Sequence, residues 1–210
     1  MTDSVLTKVD GGVGYITLNR PDALHALNLD MCETILAALR VWAQDPNVEI
    51  VVIDHAEGTR GFCAGGDIAM LRESGMSDGR KARAFFEEEY RMNATIEAFP
   101  KPYLALMDGV TMGGGVGLSV HGTYRVATER TLFAMPETSI GLFPDVGGGW
   151  FLPRLRGELG TWLALTGARL KGTDVVAAGV ATHFLPSELV PNLKAQIAEA
   201  DFSAGAAEML

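Results

Sequence analysis

Thr111-Met112-Gly113-Gly114-Gly115-Val116-Gly117-Leu118-Ser119-Val120-His121-Gly122, continued by Ala134-Met135-Pro136-Glu137 and by Gly141-Leu142-Phe143-Pro144-Asp145-Val146-Gly147-Gly148-Gly149, is the stretch that decides this chain. It sets a triple glycine ahead of a helix-compatible segment and then two carboxylates among apolar residues. Without Cβ atoms, Gly113 to Gly115 let a ligand approach the backbone closely, and the free N–H groups of a helix beginning at LSVHG point back at it. A carbonyl oxygen gathering negative charge would be stabilised there. Tight packing between elements is the competing reading of an isolated triple glycine. A phosphate-cradling loop fits worse: Gly109 and Gly114 have its spacing, but Gly115 stands where its lysine is required, and no G-x-G-x-x-G follows a strand.

A second glycine turn, Gly61-Phe62-Cys63-Ala64-Gly65-Gly66-Asp67, follows the apolar run Val48 to Ile53 and precedes Ile68-Ala69-Met70-Leu71, so it also reads as strand, turn and helix start. One such turn offers one N–H to a ligand, and two offer a pair. Asp67 is placed to cap the following helix by accepting from its first free amides, which makes it a shaper of the loop. Glu137 and Asp145 lie among Met135, Pro136, Ile140, Leu142, Phe143 and Pro144. Partial desolvation there raises a carboxyl pKa and makes the group a better proton carrier. The alternative for each acid is a solvated loop residue or a cap, and spacing leaves open whether the two converge.

Outward from these motifs, Val13 to Asn19 alternates as a strand after an early turn, and Cys32, Ile35, Leu36 and Leu39 share one face of a helix starting near Asn28. A strand spans Glu49 to Asp54. A charged helix from about Lys81 to Ala98, in which Glu87, Glu88 and Glu89 read as an exposed charge run, precedes the strand Tyr103 to Met107. Tyr124 to Ala127 and Thr131 to Ala134 read as short strands, Thr173 and Ser187 as caps of later helices, and Gly75 to Gly79 as a flexible connection. Repeated strand and helix units favour α/β architecture. With 210 residues, 48% of them hydrophobic, and no internal repeat, linker or low-complexity tract, the chain reads as a single domain over 1–210.

From Val13 to about Leu185 the sequence resembles the crotonase (enoyl-CoA hydratase/isomerase) superfamily, and within it the 3-hydroxyisobutyryl-CoA hydrolase branch. NRPDALHALN, from Asn19 to Asn28, is similar to the superfamily's first CoA-binding loop, GFCAGGDI to its first oxyanion loop and GVTMGGGVGLSVHG to its second. The last of these, taken with FAMPETSIGLFPDVGGGWFLPRL, is far more specific than any single motif. The resemblance implies a crotonase-like spiral of repeated ββα units, with the C-terminal helical part absent or truncated, since that branch continues beyond the AAEML end. It implies that the backbone N–H groups of Gly66 and Gly114 grip a thioester oxygen. Glu137 would be nucleophile or general base, Asp145 the partner of a substrate hydroxyl or a proton carrier, and Glu89 a substrate contact. Leu24, Ala26, Ala64, Gly65 and Asp67 would surround the acyl-CoA.

Gly117 stands where the hydratase pattern carries its first glutamate, so no matched acid pair remains to add water across a double bond. The implied reaction is hydrolysis of a short-chain 3-hydroxyacyl-CoA thioester, 3-hydroxyisobutyryl-CoA foremost, by a trimer-based homo-oligomer. CoA is then part of the substrate, with no separate cofactor and no metal. An enoyl-CoA hydratase or isomerase and a non-catalytic acyl-CoA-binding protein are the alternatives.

Other chemistries lack their signatures, since no G-x-S-x-G and no H-E-x-x-H occurs. His25, His55, His121 and His183 are scattered; His121 reads as structural, His25 as a shaper of the CoA-loop match, and Cys63 as a small buried thiol. A formal charge of −9 disfavours nucleic-acid binding. The phosphates of CoA call for a local basic patch that no run of the sequence supplies. Cys32 and Cys63 make no disulfide framework, MTDSVLTKVD has neither an apolar core nor an arginine-rich amphipathic stretch, and no segment is long and apolar enough for a bilayer. A cytoplasmic location without a membrane partner is the resulting expectation.

Overall fold

Gly11 and Gly12, at φ 55° and 85°, turn the chain between β1 (Val5–Asp10) and β2 (Val13–Leu18), which pair antiparallel. The computed structural model describes residues 3–202; the expectation for the AAEML end lies outside them. Asn28 then starts α1 (Leu29–Trp42), its Oδ1 accepting from the Met31 amide at 2.9 Å. The buried face of α1 carries Cys32, Ile35, Leu36 and Leu39, as the helical spacing predicts, together with Met31 and Trp42.

From there the chain alternates between two sheets. β3 (Ile50–His55) enters a large sheet and β4 (Gly61–Cys63) a small one, followed by α2 (Ile68–Gly75) and α3 (Arg80–Glu97). β5 (Tyr103–Met107), β6 (Val110–Met112) and α4 (Gly114–Ser119) repeat the pattern. β7 (Tyr124–Ala127) and β8 (Leu132–Ala134) begin it again, and α5 (Gly148–Phe151), α6 (Leu159–Thr166), β9 (Leu170–Lys171), α7 (Thr173–Ala177), β10 (His183–Phe184) and α8 (Val190–Glu199) follow. The sheets run β1-β2-β3-β5-β7-β10 and β4-β6-β8-β9, with β2 through β10 parallel in the first. This is the mixed α/β spiral of ββα units that the resemblance implies.

The centre of the large sheet is buried on both faces, which explains why Ile50 to Ile53 of β3 and the whole of β5 are apolar without interruption. Ile16, Leu18, Val51, Ile53, Ala105 and Met107 face α1 and α3 in one core. Val13, Tyr15, Ile50, Val52, Leu104 and Leu106 alternate onto the other face, against Leu193 and Ile197 of α8. A Thr17–Asp54–Lys194 chain, at 2.7 and 2.5 Å, crosses from the sheet to α8 and pairs its buried carboxylate.

Two expectations are corrected. Thr173 and Ser187 do not cap helices: Gly172, at φ 50°, holds the cap position of α7, and the Ser187 amide and hydroxyl both donate to Glu129. The Gly75–Gly79 connection has the expected turn character, with the Ser77 and Gly79 amides donating to Ser74 O and the Ala82 amide to Ser74 Oγ.

Candidate active site

Arg20 straps one wall of the site together. Its amide donates to His25 Nδ1 at 3.0 Å, and its guanidinium donates to Ala26 O at 2.9 Å and to Asp67 at 2.7 Å. His25 is fully buried, and burial, with His55 nearby, lowers its pKa to about 4. The ring is therefore neutral, with Nδ1 accepting and Nε2 free to donate to Thr59 Oγ1 at 2.9 Å. These bonds hold Leu24 and His25 at φ 48° and 56°, a costly left-handed pair for residues with side chains. The strained loop is thereby laid along the first glycine turn, with the Leu27 amide donating to Gly65 O at 2.7 Å and the Ala64 amide to Leu24 O at 3.0 Å. Leu24, Ala26, Ala64, Gly65, Gly66 and Asp67 thus stand together. Asp67 caps α2 by accepting from Met70, and that amide, then Arg20, holds its carboxyl below the usual range.

The two glycine turns meet face to face. Gly65 and Gly113 hold φ 114° and 46°, and a Cβ added to Gly113 would stand 3.6 Å from Gly65 Cα and 3.0 Å from Glu137 Oε1. Neither the Gly66 nor the Gly114 amide finds a carbonyl partner among the described residues, and Gly114 opens α4, where the first N–H groups have no intrahelical acceptor. Both glycines line one cavity.

Three acids converge on it. Glu137 opens the 3-10 turn Glu137–Ile140, is 5% exposed, and has its pKa raised to about 7 by burial, with Asp145 adding. Glu89, on α3, is 2% exposed and is raised to about 8 by burial, then by Asp145 and Glu137. Burial also raises Asp145, which accepts from the Tyr90 hydroxyl at 2.8 Å. Glu89 Oε1 and Glu137 Oε2 have no partner among the described residues. All three line one cavity of about 330 Å³ with Gly66, Gly114 and Arg169. Carboxyls that exchange protons near neutrality, set beside two free amides, can move protons at a carbonyl whose oxygen those amides bind.

Two alternative readings fail here. Glu87 and Glu88 do pair with Arg91 on the exposed face, but one further step around the helix carries Glu89 inward. Asp145 is no cap, because Gly147 holds that position before α5 and the Asp145 carboxylate is turned to Tyr90. The next residue, Val146, takes φ 42°, which is strained for a β-branched side chain, and His121 Nε2 lies 2.8 Å from its carbonyl. His121 therefore shapes the Asp145 turn. Sequence reading missed Tyr90, Asn93 and Arg169. Helical spacing from Glu89 signals Asn93, and nothing local signals Arg169. Cys63 is buried, its thiol pushed up to about 12 by burial. Among the described residues no group of three His, Cys, Asp or Glu could hold a metal, and no helix is long and apolar enough to cross a membrane.

A family profile described as enoyl-CoA hydratase/isomerase matches residues 13–210. Proteins named 3-hydroxyisobutyryl-CoA hydrolase, mitochondrial, are similar: that of Xenopus tropicalis is 59% identical over 192 residues, 91% of this chain and 49% of the relative, and the human one 56% over 192 residues, 91% and 50%. The chain spans about half the length of the curated relatives it matches. Among solved structures, a carnitinyl-CoA dehydratase from Mycobacterium thermoresistibile superposes with a TM-score of 0.92 at 43% identity, covering 99% of this chain and 61% of that one. An enoyl-CoA hydratase from Rhodobacter sphaeroides 2.4.1 gives 0.89 at 49%, covering 93% and 58%. The mitochondrial names of the relatives overturn the expected cytoplasmic location. Compartment is addressed by leader segments that a folded domain does not need, so composition and cysteine usage were the wrong guide.

Proposed function

The chain belongs to the enoyl-CoA hydratase/isomerase family, and on that premise we propose that it hydrolyses a short-chain 3-hydroxyacyl-CoA thioester, 3-hydroxyisobutyryl-CoA foremost, to the free acid and CoA. One observation carries the choice over hydration. A Cβ on Gly117 would lie 2.7 Å from Asn93 Nδ2 and 2.8 Å from Val146 Cβ, so the place of a hydratase's first glutamate is closed to a side chain. Glu137 is left as the hydratase pattern's remaining glutamate, and Asp145 supplies a further acid from another part of the chain.

In this reading the Gly66 and Gly114 amides form an oxyanion hole, each donor worth roughly 3 kcal/mol in the transition state. The Glu137 carboxylate attacks the thioester carbonyl to give a mixed anhydride that water opens, or takes the proton of the water that attacks. In both routes the carbonyl oxygen becomes the anion that the amides hold, and the C–S bond breaks to release CoA. Asp145 serves the substrate hydroxyl or the departing proton, and Glu89 contacts the acyl group. Leu24, Ala26, Ala64, Gly65 and Asp67 form the wall along which CoA lies. A trimer-based homo-oligomer is carried over from the family resemblance.

Offering 3-hydroxyisobutyryl-CoA and crotonyl-CoA separately to the full chain tests the reading. Release of free thiol from the first, with little loss of enoyl absorbance from the second, is expected. Hydration without thiol release would make it a hydratase, and tight binding without either reaction an acyl-CoA-binding protein.

A further inference from the structure

Asn93 is the buried polar group the mechanism leaves unused. It follows Glu89 by one turn of α3 and is 5% exposed, yet neither its Nδ2 nor its Oδ1 has a partner among the described residues. A buried carboxamide left wholly unpaired is costly, so an ordered water or a substrate group completes it. Its location says which. Asn93 occupies the space over Gly117, and with Tyr90, Asp145 and Val146 it lines a second cavity, of about 670 Å³. Asp145 lines this cavity and the Glu137 cavity alike. Asp145 thus joins the cavity of the glycine turns and Glu137 to the cavity of Asn93.

We infer that Asn93 is a specificity-determining residue for the acyl group, its carboxamide pairing with a hydroxyl carried on the acyl chain. This rests on the thioester-hydrolysis reading above. The match is chemical: a carboxamide offers one donor group and one acceptor, and a hydroxyl is both. A methyl group satisfies neither atom. A carboxylate on the acyl chain could not donate to Oδ1 and would meet the acids Glu137 and Asp145. The substrate class that Asn93 selects is therefore the neutral hydroxyacyl thioester, over the plain acyl and the dicarboxylic ones.

The test compares kcat/KM for 3-hydroxyisobutyryl-CoA and isobutyryl-CoA in the parent, Asn93→Leu and Asn93→Ala, with thermal melting to confirm folding. The parent is expected to prefer the hydroxylated thioester, and both variants to lose at least about tenfold of that preference through the hydroxylated substrate alone. A parent indifferent to the hydroxyl overturns the inference at once. So does a variant that folds and lowers both substrates by the same factor, as a packing role would. Should one variant melt before assay, the other decides. A parent that releases no thiol sinks the hydrolase reading instead. The dissociation constants of the two thioesters for parent and Asn93→Ala then judge Asn93 by itself: a hydroxyl preference that vanishes in the variant supports the role, and equal constants in the parent overturn it.

Discussion

Glu137 sits where desolvation and Asp145 both favour its proton, and the consequence is a pH profile. With its pKa raised to about 7, the reactive carboxylate is depleted below neutrality. kcat/KM for thioester hydrolysis should rise about tenfold per pH unit on the acid side and level off above about pH 7. A rate unchanged between about pH 5 and about pH 9 would remove Glu137 from the reaction. Gly117 makes the complementary case. Gly117→Glu drives a side chain into Asn93 and Val146, at 2.7 and 2.8 Å for the Cβ alone, so it should cost roughly 1–3 kcal/mol of stability and slow hydrolysis without creating hydration of crotonyl-CoA. A variant that hydrolysed faster than the parent, read by thiol release beside its melting curve, would show that this account of the site is wrong. Both residues were legible in the sequence as motif positions. The convergence of Glu137 with Asp145 was not, because a short 3-10 turn and the irregular chain after it, up to the strained Val146, fix no direction until His121 holds the turn.

At the scale of elements, α3 is the one whose reading changed most. Its exposed face is laced by Arg91 with Glu87 and Glu88, while Glu89 and Asn93 are buried with atoms that have no partner among the described residues. Glu89 ionises near pH 8 when folded but near its ordinary value, about 4.5, when unfolded. The unfolded chain therefore releases this proton first, and the group withdraws stability as pH climbs from about 4.5 to about 8, by a few kcal/mol at most. Glu89→Gln cannot ionise, so in denaturant titrations its advantage over the parent should widen with pH across that window. Parallel curves would contradict the burial of Glu89. Amphipathic spacing made α1 legible, and the unbroken apolar runs made β3 and β5 so. The run Glu87-Glu88-Glu89 could not announce that one of its three members turns inward. Thr173 and Ser187 misled for a related reason: cap chemistry is local, but Gly172 takes the cap position of α7 and Glu129 draws the Ser187 amide and hydroxyl.

At the scale of the whole molecule, function depends on two sheets fed alternately by the same chain. β4, β6 and β8 have three residues each, too few for a period to be read, so the spiral came from resemblance and not from pattern. Yet those short strands are what deliver the site. β4 leads into Gly65 and Gly66, β6 into Gly113 and Gly114, and β8 into Glu137, side by side because the strands pair in parallel. The central claim, that this junction hydrolyses a thioester through one carboxylate, is tested most directly by Glu137→Gln in the full chain, with thiol release from 3-hydroxyisobutyryl-CoA measured beside its dissociation constant. The account predicts a fall of about a hundredfold or more in turnover, with binding and melting temperature close to the parent's; near-normal thiol release by a folded Glu137→Gln protein would contradict it.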